Sequence, residues 1–294
     1  MMFEERPAGK ESSFAIRSFP ENTRSRIHEL EEYFDRRVLH ENQFVCQHYQ
    51  ECLASCGGSH FYEGQLHHIG EHYDIEIDGK PSRLVMVGQE YGHPPSRVGL
   101  KSRSNMIRDS ASSGFRGRNP HMKGTTSLLR LLLRRAVGDD ELGEKLFPNQ
   151  STHIFEGFAL VNYLLCSAVE PRDLREVHGV QQRTGHPRGL RGQSSASMQK
   201  NCANHFLRAV EILDPTIIVL QGFGVRNWLG KALGLQRHTK PIEQINFGST
   251  ARTVMTFMHP SAPSSGWWGN SFKKSKYLQD TVIPTVQTFL DQNC

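Results

Sequence analysis

The sequence contains no run of eighteen apolar residues, the length that a transmembrane helix needs, so a membrane-spanning protein is not expected. The first residues, Met1 to Glu5, lack the basic start and apolar core of a secretory signal peptide. Neither a Gly-x-Gly-x-x-Gly fingerprint nor a Walker loop is present, which argues against a nucleotide-binding enzyme. We therefore expect a cytoplasmic protein without membrane association.

Cysteine is scarce, with six residues in a chain of 294. Disulfides are rare inside cells, so these thiols are expected to act as core residues, metal ligands or a nucleophile. The formal net charge of +5 and the sequence pI near 8.9 are mildly basic. Such a balance suits an anionic partner without identifying it.

The length suits one large α/β domain with additional segments. Residues 1–20 are polar and are expected to be loose. Residues 21–56 lack proline and glycine and carry apolar residues at near-helical spacing, which predicts helices. We expect a single domain over residues 21–294, in which residues 21–57 form a helical N-terminal extension.

Four apolar stretches, which begin near Leu84, Phe155, Thr216 and Thr253, have the length and composition of buried strands. Segments with helical spacing separate them, and this alternation predicts a parallel sheet with helices on both faces. Residues 96–123 and 169–200 are instead rich in arginine, serine and glycine. We expect the first of these segments to be a partly disordered loop that can also grip phosphates.

Polar residues follow two of the apolar stretches directly. Leu84 to Gly88 runs into Gln89-Glu90-Tyr91-Gly92, and Thr253 to Met258 runs into His259-Pro260-Ser261. Ligands of open α/β sheets bind outside the carboxyl ends of the strands, so both motifs stand where chemistry is expected. For the first motif alone, a strand that ends in an ordinary solvated loop is an equal interpretation.

Together the two motifs resemble the uracil-DNA glycosylase superfamily, over roughly Cys52 to Tyr277. The first family motif reads Gly-Gln-Asp-Pro-Tyr in one branch and Gly-Glu-Ala-Pro-Gly in an iron–sulfur branch, and the second begins His-Pro-Ser. The resemblance implies an α/β fold, a three-layer α/β/α sandwich on a four-stranded parallel sheet. Here Glu90 stands at the position of the catalytic Asp of the first branch, and Gln89 stands where the iron–sulfur branch has its acid.

Several cysteines are similar in position to the ligands of the iron–sulfur branch. Cys166 follows Asn162 at the spacing of the Asn-Leu-Val-Lys-Cys segment of that branch. The resemblance implies a [4Fe–4S] cluster held by Cys52, Cys56, Cys166 and Cys202. The residues alone leave two alternatives, which are buried free thiols and a zinc site built from Cys46, His48, Cys52 and Cys56.

The residues after the second motif are similar to a loop of the first branch that enters the minor groove. Gly266-Trp267-Trp268-Gly269 matches a Gly-Phe-Phe-Gly segment, and Pro263 stands at the position of a wedge leucine. We assign DNA binding to Ser261, Pro263, Ser264, Ser265, Lys273 and Lys274. Ordinary packing of the two tryptophans on the last helix is the alternative.

The resemblance also implies roles in catalysis. Glu90 positions a water and faces the sugar cation, while His259 donates a hydrogen bond to the pyrimidine O2. Asn162 pairs with the edge of a flipped-out base. Tyr91 and His121 flank the faces of the base. His121 occupies the position of a base-stacking phenylalanine of the family. The remaining members of the expected substrate pocket are Gly88, Gln89 and Gly92.

These observations predict a monomeric DNA glycosylase that hydrolyses the N-glycosidic bond of a modified pyrimidine and leaves an abasic site. Gly92, His121 and the polar segment between Cys166 and Cys202 favour a base larger than uracil. A hydroxymethylated or glucosylated cytosine of phage DNA fits, and the activity would then serve defence. Excision of uracil in base-excision repair is one alternative. A DNA-binding or damage-sensing protein without the chemistry is the other.

Overall fold

A computed structural model describes residues 15–92, 95–170, 174–177, 180–183, 194–235, 240–247 and 250–293, with side chains except at 174–177, 180–183 and Ser265. The described part is a mixed α/β protein with eight α-helices. They are α1 (Pro20–Arg37), α2 (Tyr49–Ala54), α3 (Leu100–Ser112), α4 (Gly114–Gly117), α5 (Pro120–Leu132), α6 (Ala196–Leu213), α7 (Phe223–Ala232) and α8 (Ile283–Gln292).

The strands of the described part are mostly short. They are β1 (Ile16–Ser18), β2 (Leu39–His40), β3 (Gln43–Phe44), β4 (His60–Tyr62), β5 (His68–Ile69), β6 (Ile75–Ile77), β7 (Lys80–Pro81), β8 (Leu84–Gly88), β9 (Phe158–Asn162), β10 (Ser167–Val169), β11 (Leu174–Val177), β12 (Val180–Arg183), β13 (Ile217–Gln221), β14 (Ile242–Phe247) and β15 (Thr250–Phe257).

The main sheet has six strands among the described residues, in the order β14-β15-β13-β8-β9-β5. Its four central strands run parallel, while β14 and β5 pair antiparallel at the two edges. The predicted α/β class is confirmed. The sheet is mixed rather than wholly parallel, because a two-residue strand and a hairpin partner, neither of which has a long apolar run, extend it at the edges.

The central strands bury side chains on both faces. In β8, Val85 and Val87 belong to one hydrophobic cluster, and Leu84 and Met86 belong to another. Successive side chains of a strand point to opposite faces, so the two clusters lie on opposite sides of the sheet. The first cluster includes residues of α1, α6 and α7, and the second includes residues of α5 and α8. This burial on both sides explains why the strands are continuously apolar.

The N-terminal extension consists of α1, the β2–β3 hairpin and the short α2. Pro20 begins α1, where its missing N–H breaks no helical hydrogen bond. Arg26 ties this helix to the domain through an ion pair with Asp74 and a hydrogen bond to the Ile212 carbonyl. Ahead of α1, β1 pairs with β6. The rest of the terminus that was expected to be loose, residues 1–14, lies outside the described residues.

The segment 96–123, expected to be a polar loop, is largely helical. It contains α3, α4 and the first turn of α5. Leu100 and Ile107 are buried, and so is Arg118, which forms a salt bridge with Glu144 at 2.7 Å. The expectation from composition was wrong because two of these charged residues, Arg103 and Arg118, are buried inside the fold. Much of the second polar segment, 171–173, 178–179 and 184–193, lies outside the described part.

The last helical segment is interrupted just before Pro284. Leu278–Val282 form a π-helical turn that leads into α8. Proline has no N–H to donate to the carbonyl four residues earlier, so the regular hydrogen-bond ladder is lost at this point. Within the described ranges, no helix combines the length and the apolar character needed to cross a membrane.

Candidate functional site

The predicted motifs meet at the carboxyl edge of the main sheet. Gly88, Asn162 and Gln221 end the neighbouring strands β8, β9 and β13, and His259 follows β15 after one intervening residue. In the sheet, β9 lies on one side of β8 and β13 lies on the other. Such a switch point is where open α/β sheets bind ligands, because the flanking connections diverge there and leave a crevice.

Asn162 is a buried polar residue at this edge. It pairs in register with Gly88, and a Cβ added to Gly88 would lie 3.7 Å from Asn162 Oδ1. Its backbone N–H donates to His67 Nδ1 at 3.3 Å. The side chain is only 3% exposed, yet no described residue accepts a hydrogen bond from its Nδ2. A buried amide without a partner costs about 1–3 kcal/mol, so this donor is suited to a ligand.

The loop that carries His259 is fixed from two sides. The Ser261 N–H donates to His259 Nδ1 at 3.1 Å, so the proton of the neutral ring sits on Nε2. Pro260 packs so closely on α5 that a Cβ added to Gly124 would lie 2.5 Å from Pro260 Cβ. On the other side, the Gly269 N–H donates to the Pro260 carbonyl at 3.0 Å. The imidazole is therefore held with Nε2–H as its remaining donor.

His121, in the first turn of α5, stacks on His259. The two rings are 14° from parallel, and their centroids are 5.1 Å apart. His121 Nε2 donates to Gln221 Oε1 at 2.6 Å, and Gln221 Nε2 donates to Thr125 Oγ1 at 2.9 Å. Gln221 is fully buried, so it fixes the tautomer and the orientation of His121. One face of His121 is covered by His259, which leaves only the other face for a base.

Both imidazoles are neutral at physiological pH, although each ring is only half-buried. Burial lowers the pKa of His259 to about 3, and the neighbouring His121 contributes to the same shift. Burial also lowers the pKa of His121 to about 4, against the opposing effect of the Gln221 hydrogen bond. A neutral imidazole brings one N–H donor and no full charge. It can therefore stabilise an oxygen on which negative charge develops during a reaction.

Gln89 and Glu90 are half-buried directly after β8. Gln89 Nε2 donates to Ser194 Oγ at 2.8 Å. The charge of Glu90 reaches the thiol of Cys56, whose pKa is raised first by burial and then, to a smaller extent, by Cys52 and Glu90. Glu90 thus lies where the sheet edge meets the N-terminal extension.

Tyr91 and Gly92 contact α3 and β10. The guanidinium carbon of Arg103 lies 4.1 Å from the centroid of the Tyr91 ring, and the Tyr91 hydroxyl donates to Met106 Sδ at 3.3 Å. The Gly92 N–H donates to Ser167 Oγ at 2.7 Å. Gly92 has a φ of +81°, which L side chains rarely adopt. The backbone therefore requires glycine here, whatever the size of the pocket.

The residues assigned to DNA binding follow His259 in the chain. Pro263 and Ser264 are exposed in a single 3₁₀ turn, and Lys273 and Lys274 are exposed further along the chain. Ser261 is half-buried and contacts His259 through its backbone. The position of the Ser265 side chain lies outside the described part. Exposed hydroxyl and ammonium groups of this kind are able to contact phosphates.

The two tryptophans of this region differ. Trp268 is 1% exposed and donates from Nε1 to the Met258 carbonyl at 2.8 Å, so it packs beneath the His259 loop. Its ring also lies 6.3 Å from that of Tyr277. Trp267 is half-buried and has a φ of +49°. For Trp268 the packing alternative accounts for the burial.

Four cysteines line one cavity between the N-terminal extension and α6. They are Cys46, Cys52, Cys166 and Cys202, and His48 and His205 line the same cavity. Cys56 has other contacts, since its thiol donates to the Cys52 carbonyl at 3.0 Å and lies 3.4 Å from Met198 Sδ. Three members of the predicted ligand set therefore meet at the cavity. The fourth cysteine there is Cys46, because the chain turns after α2 and directs Cys56 toward Met198 instead.

The cavity is a largely apolar environment. Burial raises the pKa of all four thiols, that of Cys202 to about 12. Asn201 Nδ2 lies 3.5 Å from Cys52 Sγ, and His205 Nε2 lies 3.8 Å from Cys46 Sγ. The thiols are therefore protonated until a metal displaces their protons. As they stand, no three histidine, cysteine or acidic side chains of the described residues are grouped tightly enough to hold a single metal ion.

Three residues of this edge belong to no motif that the sequence analysis singled out. Gln221 and Thr125 hold His121, and Arg103 stacks on Tyr91. Gln221 could have been recognised as a site residue from the sequence, because it is the polar residue that ends an apolar strand. Arg103 could not have been recognised in this way, since the composition of its surroundings predicts a solvated loop.

The assignment of a function rests on the motifs and on this geometry. No protein-family model matches the chain, and no curated protein matches its sequence.

Proposed function

We propose that the protein is a DNA glycosylase that hydrolyses the bond between a pyrimidine and deoxyribose. The observation that carries the proposal is a pair of neutral donors, Asn162 Nδ2 and His259 Nε2, at one edge of the sheet. No described residue accepts from Asn162 Nδ2, and the Ser261 contact leaves Nε2–H as the donor of His259. A pyrimidine offers carbonyl oxygens and a polar edge to donors of this kind. Glu90, two residues after the end of β8, adds a carboxylate at the same edge of the sheet.

In the proposed reaction, the nucleotide first leaves the duplex, because the target bond cannot be reached in the stack. As the N-glycosidic bond breaks, its electron pair passes to the base and positive charge grows on the sugar. His259 donates from Nε2 to the oxygen that gains charge, and Asn162 holds the polar edge of the base. Glu90 faces the sugar and orients a water. The water oxygen bonds to C1′ as one of its protons passes to the solvent, and the base leaves as an anion that takes a proton from the solvent, which gives an abasic site and a free base.

His121 acts in this scheme as a positioning residue for His259. The stacked ring restricts rotation of the His259 imidazole, and Gln221 keeps His121 itself in one orientation. A fixed donor needs no reorganisation when charge develops, which is the source of its catalytic effect. The outer face of His121 can still contact the base.

The architecture supports the same proposal. Four central parallel strands with hydrophobic clusters on both faces fit a three-layer α/β/α sandwich, extended by one antiparallel strand at each edge. The candidate residues lie at the switch point of that sheet. DNA is the proposed partner of a single copy of the chain, with Lys273 and Lys274 available for phosphates and a net charge of +5.

The cysteines at the cavity fit a [4Fe–4S] cluster, which takes four thiolate ligands. We propose Cys46, Cys52, Cys166 and Cys202 as the ligand set, in place of the set with Cys56 that the sequence suggested. When bound, the cluster supplies a covalent tie between the N-terminal extension, the segment after β9 and α6. Hydrogen bonds from Asn201 and His205 to sulfur would stabilise it.

An abasic-site assay tests the proposed activity. Duplexes that carry uracil, 5-hydroxymethylcytosine or its glucosylated form are incubated with the protein and then treated with alkali. The proposal predicts strand cleavage on at least one duplex, which is lost in His259→Ala. The control is His28→Ala, because His28 is an exposed histidine on α1. Binding of DNA without cleavage of any duplex would identify a damage-sensing protein and overturn the enzymatic proposal.

A further inference from the structure

Arg103 is a buried cation that has no counterion among the described residues. Its exposed fraction is 8%, and no carboxylate of the described residues pairs with it. Its Nε also has no hydrogen-bond acceptor within the described part of the chain. Burial lowers the pKa of the guanidinium to about 10, so the group is still charged at neutral pH. Burial of an unpaired charge is unfavourable, which makes a partner from outside the protein the expected explanation.

The position of Arg103 connects it to the proposed base pocket. The guanidinium lies 4.1 Å from the centre of the Tyr91 ring, in the loop that follows β8. Its charge contributes to lowering the pKa of His121, and of His67, whose Nδ1 accepts from the Asn162 N–H. Arg103 therefore lies beside the loop after β8, and its charge acts on the histidine in the first turn of α5 and on the histidine bonded to the end of β9. These three segments form the proposed pocket.

The contact with Tyr91 satisfies the guanidinium only in part. Besides the cation–π contact, which uses the flat face of the group, the Tyr91 side chain shares a hydrogen bond with Arg103. Tyr91 therefore orients the guanidinium, while its buried Nε–H is left without an acceptor among the described residues. A guanidinium held in this way is suited to oxygen atoms, and most of all to a carboxylate, which it binds through two parallel hydrogen bonds.

We infer that Arg103 recognises an oxygen-bearing substituent at C5 of the excised pyrimidine, either a carboxylate or the hydroxyl groups of a hydroxymethyl or sugar group. The inference rests on the proposed glycosylase function and specifies its substrate class. Uracil carries only hydrogen at C5 and leaves the buried guanidinium unpaired. A site built around a buried hydrogen-bonding group strongly rejects the analogue that lacks the partner. Arg103 thereby favours the excision of substituted pyrimidines over the excision of uracil.

Single-turnover excision tests this role with five duplexes, which carry cytosine, uracil, 5-hydroxymethylcytosine, glucosylated 5-hydroxymethylcytosine or 5-carboxylcytosine. Wild-type protein is expected to release an oxygen-substituted base at least about tenfold faster than uracil. Arg103→Met should remove most of that preference, by lowering the rate on the oxygen-substituted base far more than the rate on uracil. Arg103→Lys keeps the charge and should retain part of the preference. If the excision rate of Arg103→Met falls most on the 5-carboxylcytosine duplex, the partner of Arg103 is a carboxylate. If it falls most on the glucosylated duplex, the partners are hydroxyl groups.

Other outcomes distinguish a failure of this inference from a failure of the proposed function. An equal loss on all bases in Arg103→Met would make Arg103 a structural residue, while the glycosylase proposal would stand. If the wild type excises only substituted bases, the DNA concentration for half-maximal rate should rise about tenfold in Arg103→Met. An unchanged concentration would overturn the inference.

Without DNA, Arg103→Met should unfold at or above the wild-type temperature, because it removes an unpaired buried charge. A lower temperature would contradict this. Failure of the wild type on every base would remove both proposals.

Discussion

His259 is the residue on which the proposed chemistry depends most directly. His259→Ala and Glu90→Gln are each expected to lower the single-turnover rate by about two orders of magnitude, the usual effect of losing one preorganised electrostatic partner. DNA affinity should change little, because neither side chain is assigned to phosphates. Alkaline cleavage measures the rate, and fluorescence anisotropy measures the affinity. Full activity in Glu90→Gln would mean that another group orients the water.

The protonation state of His259 also predicts the pH dependence of the rate. Burial lowers its pKa to about 3, so the ring stays neutral through the range where a free histidine titrates. Between about pH 5 and pH 8, the contribution of His259 to the single-turnover rate should therefore be constant. A rate that rises or falls with an apparent pKa near 6.5, and loses that dependence in His259→Ala, would show that the ring titrates normally.

At the scale of elements, α5 and the His259 loop form one unit because Gly124 allows them to touch. An added Cβ at Gly124 would lie 2.5 Å from Pro260 Cβ, so Gly124→Ala should displace the loop, destabilise the fold by about 1–3 kcal/mol and slow catalysis. Gly230 is a matched control, since it also lies inside a helix and its added Cβ meets nothing within 4 Å. Gly230→Ala should leave the rate unchanged and stabilise by about 0.5–1 kcal/mol. Similar results in urea unfolding for both variants would contradict this account.

The cavity between the N-terminal extension and α6 makes a second prediction at this scale. Purified protein should be brown and absorb broadly in the visible range, as iron–sulfur proteins do. Cys46→Ser should bleach the protein, whereas Cys56→Ser should keep its colour, because Cys46 lines the cavity and Cys56 does not. The reverse pattern would restore the ligand set predicted from sequence. A colourless protein with stoichiometric zinc would contradict the cluster.

At the scale of the whole molecule, buried histidines couple stability to pH. His67 and His68 are fully buried, and burial lowers their pKa values to about 3 and about 4. The unfolded imidazoles bind protons near pH 6.5 and the folded ones do not, so stability should fall as pH drops from about 6.5 toward 4. The pKa values of His121, His205 and His259 are lowered in the same way, so the five histidines together give a slope of up to about 7 kcal/mol per pH unit. Urea unfolding at several pH values measures it, and a constant free energy of unfolding over this range would contradict the prediction.

How much of this molecule could be predicted depends on whether the signal is local. The strand ends at Gly88 and His259 were predictable, because an apolar run stops abruptly at a polar motif in each case. The bond between His121 and Gln221 was not, because 100 residues separate them. Arg103 was missed because composition reports average polarity, and a single buried charge does not alter it. The choice between Cys46 and Cys56 depends on the direction of one turn, which spacing does not specify.

The central claim is that this sheet edge releases a base from DNA, and mass spectrometry of the released product tests it most directly. Duplexes carrying cytosine, uracil and the three 5-substituted cytosines are incubated with wild-type protein, His259→Ala and His28→Ala, and the small-molecule fraction is analysed. The account predicts a free pyrimidine, intact at C5, from wild-type protein and from His28→Ala, and at least about a hundredfold less from His259→Ala. Tight DNA binding with no free base from any duplex, or equal release by His259→Ala, would contradict it.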